Sequence, residues 1–480
     1  MKISCRATAL VFMSAFIAGF AGAARAAETR PNVVYIMADD LGWKDVGYHG
    51  SDIKTPNIDE LAATGMRLEQ FYAQPMCTPT RAALMTGRYP FRYGLQTAVI
   101  PASNTLGNYG LATDEYTIAQ ALGDGGYRTA IVGKWHLGHA DRKYWPRQRG
   151  FDSQYGPLIG EVDYFTHEVE GVVDWYRDNN VVKEPGYTTT LLGDEAVRLI
   201  ESNDRKKPLF LYLAFNAPHT PYQAPPEYLD RYAKIADPAR RAYAAAISAM
   251  DDQIGRVLAA LDKSGMRSNT LVVFMSDNGG TQNPMFAGTL ADVSRVTIPC
   301  SNGPYRDGKG SLYEGGTRVV ALANWPGRVH AGTATGMLHV VDLYPTVTRL
   351  AQVSTKKAKP LDGLDVWATM SEGKPSPRTE IVYNIEPMRA GIREDNWKLI
   401  WHTMLPPKVE LYDIDTDPSE KHDLAAGTPA KVAELEQRAM VLAASGVKPL
   451  LLETAFKEVM RQMHLPPAFP GEELEFDREP

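Results

Sequence analysis

The chain has 480 residues, 44% of them hydrophobic and 22% charged, with a formal net charge of −6. This is the composition of an ordinary globular protein, and the length fits one large domain plus a smaller one. The acidic balance argues against nucleic acid as a partner, and any anionic substrate needs a local basic pocket.

Lys2 and Arg6 precede an apolar stretch from Ala7 to Ala24 that closes on Ala24-Arg25-Ala26. A positive region, an apolar region and a small-residue cleavage pattern read as a secretory signal over residues 1–26, with an uncleaved anchor as the alternative. Its removal takes the charge from −6 to −9. A periplasmic or secreted protein is therefore expected. No later run is long and apolar enough for stable membrane insertion. Of three cysteines, Cys5 leaves with the signal, and Cys77 and Cys300 remain. In an oxidising compartment the plain expectation is one disulfide between them. The surroundings of Cys77 suit chemistry better, which leaves Cys300 as a buried or idle thiol.

Asn32 to Ala38 is a near-continuous apolar run ending at Asp39-Asp40, as in a strand buried on both faces. Pro56 to Ala63 reads as a helix, with Thr55 as cap, Pro56 at the first helical position and Gly65 as stop. Cys77 stands just before another helix start, with Pro79 early in it and Arg81 one turn on. Helix N-termini favour anions, and an arginine fork adds to that. Glu115 to Leu122 reads as a helix and Tyr127 to Val132 as a strand leading into Gly133-Lys134-Trp135-His136. Pro208 to Phe215 is a third strand, leading to His219. Arg240 to Leu261 is a long amphipathic helix, and Leu271 to Met275 is a strand ending in Ser276-Asp277-Asn278-Gly279-Gly280.

Strands alternating with helices predict an α/β fold, a large mostly parallel sheet sandwiched by helices. Ligands of such folds bind at the carboxyl ends of strands. Here four strand ends carry, in order, Asp-Asp, Lys-x-His, His and Asp-Asn. Ser354 to Pro360 and Ser371 to Pro377 read as linkers. Beyond them Glu380 to Ile385, Trp397 to His402 and Val409 to Asp413 suggest a small C-terminal α+β domain with an antiparallel sheet. The expected division is a signal over 1–26, a catalytic domain over 27–375, a small subdomain over 376–450, and a helix and extended tail over 451–480.

Asp39, Asp40, Asp277 and Asn278 offer oxygen ligands, which select a hard cation such as Ca²⁺ or Mg²⁺. Either pair alone is also an ordinary turn; together, each closing an apolar strand, they point to a metal. Lys134 can bind an oxyanion, and His136 can move a proton near neutral pH. If the backbone stays extended there, both side chains point the same way. Alone, His136 also reads as a buried structural histidine, His219 as a satisfied loop residue and Lys309, in Arg306-Asp307-Gly308-Lys309-Gly310, as an exposed lysine.

Cys77-Thr78-Pro79-Thr80-Arg81 resembles the maturation signature of the type I, formylglycine-dependent sulfatases of the alkaline phosphatase superfamily. Gly126 to Gly138 resembles the second signature of that family. The runs from Pro31 to Trp43 and Ser276 to Gly280, and the C-terminal run from Glu410 to Ala425, are similar as well, so the likeness covers nearly the whole mature chain. Within the family it is strongest to the N-acetylgalactosamine-4-sulfatases (arylsulfatase B), through Gly156 to Glu168, Gly308 to Val319 and Pro360 to Arg378. The resemblance implies that Asp39, Asp40, Asp277, Asn278 and a formylglycine made from Cys77 by a maturation enzyme hold one Ca²⁺. It implies that Arg81, Lys134, His136, His219 and Lys309 line a sulfate pocket. The hydrate of the aldehyde would attack the sulfur, with Asp277 accepting its proton. His219, helped by Lys309, would protonate the leaving alcohol, and His136 would release sulfate from a formylglycine-sulfate intermediate. Thr80 stands where serine is commoner, and the additional cysteines of the animal enzymes are missing, so their disulfides do not carry over.

The expected substrate is an aryl sulfate or a sulfated saccharide such as N-acetylgalactosamine 4-sulfate. Arg318, Tyr313, Trp135, Tyr155, Asp163 and His167 either line an outer pocket or pack in core and surface. Two alternatives are a phosphomonoester, phosphodiester or phosphonate monoester hydrolase of the same superfamily, and an inactive calcium-dependent binder of sulfated glycans. The sequence specifies no oligomeric state.

Overall fold

The computed structural model describes residues 30–99, 109–286, 298–404 and 406–452. The expected signal, and the tail from residue 453 on, lie outside them. A ten-stranded sheet organises the larger part of the molecule. In chain order its strands are β1 (Asn32–Ala38), β2 (Met66–Leu68), β3 (Arg128–Gly133), β4 (Ser153–Gly156), β5 (Tyr176–Arg177), β6 (Asn180–Val181), β7 (Leu209–Ala214), β8 (Thr270–Ser276), β9 (Ala321–Asn324) and β10 (Gly332–Ala334). Their order across the sheet is β10-β2-β9-β8-β1-β7-β3-β4-β5-β6. The five central strands, β8 to β4, run parallel, so their carboxyl ends share one edge.

Side chains alternate across this sheet, as strand geometry requires. Val33, Tyr35 and Met37 join one core cluster, with Phe210, Tyr212 and residues of helices α2 (Cys77–Thr86) and α3 (Ile118–Asp124). Val34, Ile36 and Ala38 join the other, with Leu211, Leu213 and residues of α1 (Pro56–Thr64), α4 (Thr188–Glu201) and α5 (Pro238–Lys263). Both faces are covered, which is why β1, β7 and β8 are continuous apolar runs.

A second sheet is an antiparallel meander of β11 (Glu380–Glu386), β12 (Arg389–Glu394), β13 (Trp397–His402) and β14 (Lys408–Asp413). Strand β12 was not foreseen. Its sequence, Arg-Ala-Gly-Ile-Arg-Glu, carries too few β-branched or aromatic residues to read as a strand. Helix α6 (Pro429–Ala443) follows. Val382, Ile392, Leu399 and Leu411 join the first core cluster, together with Leu435 and Leu442 of α6. Ile381, Tyr383, Ile400 and Tyr412 pack on Tyr72, Leu312 and Met337.

Three local expectations change. Helix α3 begins at Ile118 because Thr117 and Gln120 form a reciprocal capping box, which leaves Glu115 outside it. Thr55 does not cap α1; its hydroxyl donates to Asp59 Oδ1 at 2.9 Å. The two expected linkers are not free. Lys357 and Lys359 pair with Asp124 and Asp114, and Asp362 accepts Arg92 Nε and the Tyr89 amide, so the segment is strapped to the part built on the ten-stranded sheet. The second overlaps a short helix, Trp367–Glu372.

Candidate active site

Each of the polar strand exits is placed by backbone ties at the carboxyl edge. The Asp39 amide donates to Ala217 O and the Asp277 amide to Ala38 O. The Lys134 amide donates to Ala214 O at 2.8 Å. Gly133 precedes Lys134 with φ 113°, and a Cβ there would lie 1.8 Å from Ala214 O, so only glycine lets β3 meet β7 so closely at this exit. Cys77 is itself the first helical residue of α2, after Met76 in extended conformation. Thr80 uses its hydroxyl as a serine would, accepting the Gln74 amide and donating to the Gln74 carbonyl.

The result is a buried cluster. Ligand atoms of Asp39, Cys77 and Asp277 lie within 4.8 Å of one another, as do those of Asp39, Asp40 and His219. Lys134 Nζ donates to Asp39 Oδ2 at 2.6 Å. Lys309 Nζ donates to Asp40 Oδ2 at 2.8 Å and lies 3.0 Å from His219 Nε2. Arg81 donates through Nε and Nη2 to Asp277 Oδ2, at 3.1 and 2.7 Å, and through Nη1 to the Lys134 carbonyl. It orients a carboxylate and a lysine backbone. Three carboxylates thus interleave with three cations.

The electrostatics follow. Burial, with Asp277 and Asp40 adding to it, pushes the Asp39 carboxyl well above its usual range despite Lys134 and Arg81. Burial acts the same way on Asp40, but Lys309 and His219 beside it prevail and hold it below that range. Burial pushes the Cys77 thiol up, so as a plain thiol it carries little thiolate. Burial and then Lys309 push the His219 imidazole down to about 3. Its Nδ1 lies 2.7 Å from the Thr220 carbonyl, which can only accept. Nδ1 therefore carries the hydrogen, and Nε2 accepts from Lys309.

Asp39 Oδ1 and Asn278 Oδ1 are buried without a hydrogen-bond partner. Two orphaned oxygens beside Asp40 and Asp277 are the donor set a hard cation completes, so these residues fit Ca²⁺.

His136 does not follow an extended strand. Its φ is 57°, and its amide donates to Leu158 O. The expectation that Lys134 and His136 point alike through strand alternation therefore falls, since β3 has ended at Gly133. Both Cys77 and Cys300 are buried free thiols, so Cys300 is the buried thiol expected and the alternative of a disulfide between them falls. Cys300 packs against Gly280, where an added Cβ would lie 2.6 Å from Cys300 Cβ.

The outer candidates are not brought into this cluster. Tyr155 donates to Glu184, and His167 stacks on Trp175 with Nε2 at 3.0 Å from Gly186 O. Asp163 accepts the Phe165 and Thr166 amides and Gln223 Nε2. Arg318 donates to the Glu69 carbonyl and lines a surface cleft of about 430 Å³ with Tyr305 and Gln70. Tyr313 donates to Glu410 and Trp135 to the Tyr144 carbonyl. Each has a protein partner that the sequence pattern did not reveal.

Two supporting residues escaped the sequence reading. Asn302 accepts the Gly280 amide and donates to the carbonyls of Gly280 and Asp307, tying the Asp277 loop to the Lys309 loop. Tyr164 donates its hydroxyl to the carbonyls of Asn216 and His219. Only their polar type was a signal, because their partners are distant in sequence.

A family model described as Sulfatase matches residues 31–353, and one described as N-sulphoglucosamine sulphohydrolase, C-terminal, matches residues 307–442. Arylsulfatase J of Mus musculus is 36% identical over 473 residues, covering 87% of this chain and 76% of that protein. N-acetylgalactosamine-6-sulfatase of Mus musculus is 34% identical, covering 74% and 68%. The crystal structure of Ps i-CgsB in complex with k-i-k-neocarrahexaose superimposes with a TM-score of 0.79 at 33% identity, over 91% of this chain and 98% of that one. With the fold and the cluster at its strand ends, these matches place the chain in the sulfatase family, as a type I sulfatase that hydrolyses sulfuric esters.

Proposed function

We propose that this sulfatase works on a sulfated saccharide through a formylglycine made from Cys77 by a maturation enzyme, with one Ca²⁺ held by Asp39, Asp40, Asp277, Asn278 and position 77. The single observation that carries this is the meeting of Cys77 with Asp39 and Asp277 at the parallel strand ends, beside two orphaned oxygens. The buried thiol, with its raised pKa, is a poor nucleophile as it stands. An aldehyde hydrate at position 77 supplies a nucleophilic hydroxyl and a second one through which sulfate can leave. The cation supplies positive charge for a sulfuryl oxygen.

The chain's own residues do the rest. Lys134 and Lys309 present ammonium groups to the anionic ester, each steadied by a carboxylate. Arg81 holds Asp277 so that its other oxygen, which accepts the Asp40 amide at 3.2 Å, faces the same cluster. The proton for the leaving alcohol comes from the Lys309–His219 pair, on the Lys309 side. His136 takes a proton when sulfate departs.

The saccharide reading rests on relatives. One is named for N-acetylgalactosamine 6-sulfate and one is a crystal structure with a neocarrahexaose. The sequence runs similar to the 4-sulfatases favour N-acetylgalactosamine 4-sulfate. We assign residues 27–375 to the catalytic part, 376–450 to the smaller one and 1–26 to an export signal, and place the mature protein in the periplasm or outside the cell. No described helix is long and apolar enough to cross a membrane. The test is the mass of the peptide bearing residue 77, together with turnover of N-acetylgalactosamine 4-sulfate, its 6-sulfate, and nitrophenyl sulfate and phosphate. An unmodified cysteine in active protein, or faster turnover of the phosphate, would reject the reading.

A further inference from the structure

His136 is a non-glycine residue in the left-handed region, a strained conformation that persists only where its surroundings over-determine it. Its surroundings do. The His136 amide donates to Leu158 O at 3.0 Å, and its carbonyl accepts the Thr78 hydroxyl at 2.9 Å. Its ring Nε2 lies 2.7 Å from the Val99 carbonyl. The ring also lies against Gly160, where an added Cβ would come within 2.4 Å of its Cε1. Val99 in turn is fixed by Thr78, because the Val99 amide donates to the same hydroxyl oxygen at 3.1 Å. One atom, Thr78 Oγ1, thus holds both the backbone of His136 and the residue that holds its ring. Thr78 is buried and immediately follows Cys77 in α2.

The tautomer follows. A backbone carbonyl can only accept, so Nε2 carries the hydrogen and Nδ1 is bare. Nδ1 is buried and without a partner, which is unfavourable unless a ligand or reacting group meets it.

We propose that Thr78 is a positioning residue for His136: its hydroxyl, acting directly and through Val99, locks the ring as the Nε2–H tautomer and makes Nδ1 the atom that takes up a proton in turnover. Nδ1 would gain the hydrogen that the second hydroxyl of the position-77 hydrate gives up as sulfate departs, the electrons of that O–H bond closing the aldehyde carbonyl; the ring becomes a cation with a hydrogen on each nitrogen, and loss of that proton to solvent restores the starting tautomer. Because Thr78 and Cys77 share the first helical turn, the spacing between the reacting position and this base is set by one rigid element. The purpose of the proton transfer rests on the function proposed above; the tautomer does not.

The test uses full-length protein with ¹⁵N-labelled imidazoles, the His136 signals being identified by their loss in His136→Ala. Wild type, Thr78→Val and Thr78→Ser are compared. Because Thr78 lies beside the residue to be modified, kcat is divided by the converted fraction of residue 77, read by peptide mass. Wild type is expected to show a protonated Nε2 and a bare Nδ1. Thr78→Ser keeps that tautomer and stays within about threefold of wild-type kcat, since the hydroxyl is retained. Thr78→Val mixes the tautomers and lowers kcat by about 10- to 100-fold, part of what a general base is worth, with KM within about twofold. A wild-type Nδ1–H, a Thr78→Val protein with wild-type tautomer or kcat, or a Thr78→Ser protein as impaired as Thr78→Val would overturn the proposal. The wild-type tautomer needs no variant, so the proposal stays testable if Thr78→Val does not fold. Absence of turnover in converted wild type would reject the proposed function, and the tautomers would still decide this inference.

Discussion

Lys309 is held positive above its ordinary range, against burial, by Asp40, while His219 beside it is held neutral. The proton of this pair therefore sits on the lysine, and the histidine, accepting from it through Nε2, holds that ammonium in place. His219→Gln should lower kcat on a saccharide sulfate by about 10²- to 10⁴-fold, the worth of a general acid. It should change nitrophenyl sulfate turnover far less, because nitrophenolate leaves without a proton. Equal losses on both esters would remove His219 from acid catalysis. Cys77→Ser should permit one turnover at most, read as a single stoichiometric burst; sustained turnover would end the formylglycine scheme. Asp174 gives a test in pH. It is buried, accepts the Ile159 amide at 2.8 Å, and burial pushes its carboxyl up to about 7. A raised folded value contributes stability in full below about pH 4, where the unfolded carboxyl also holds its proton, and that contribution is lost as pH rises through 7. The Tm should fall between pH 5 and 8, and Asp174→Asn should flatten that fall.

Among the elements, the central strands were legible because burial on both faces demands long apolar runs, and their polar exits stood out against those runs. What the exits do was less legible. The pairing of Lys134 with Asp39, and of Arg81 with Asp277, depends on strand order, which no local pattern contains. Strand β12 and the short helix Glu314–Thr317 were missed because they carry charge into the interior. Lys398 of β13 is fully buried between Glu314 and Glu420, at 2.9 and 2.8 Å. Burial acts to raise Glu314, yet Lys398 and Arg318 hold it down at about 2. This group joins the second sheet to the loop that carries Lys309. Lys398→Met would take from buried Glu420 its cation and leave Glu314 only the more distant Arg318, and should cost about 3–5 kcal/mol. Denaturant unfolding measures this, and an effect below about 1 kcal/mol would show that the joint does not matter.

Across the whole molecule, the two sheets are tied by a common core, by the Glu314–Lys398–Glu420 group and by Arg378 on Asp342. The acid-rich cluster at the parallel strand ends is where a bound cation would add stability to the fold. Chelation should therefore lower both activity and Tm, the latter by a few degrees, and added Ca²⁺ should restore them. A Tm indifferent to chelator would argue against the metal. By itself the sequence determined the layered α/β class, the strands whose ends bear Asp39, Lys134 and Asp277, and the family resemblance in the Cys77 run. Those features are local, set by apolar runs, caps and spacing. Only the tertiary structure decided that Arg81 orients Asp277, that Thr78 braces His136, which protein groups Tyr155, Asp163, His167 and Arg318 bond to, and that the expected linkers are strapped down. Each of these joins residues far apart in the chain, and a side chain's partner depends on which strands lie side by side.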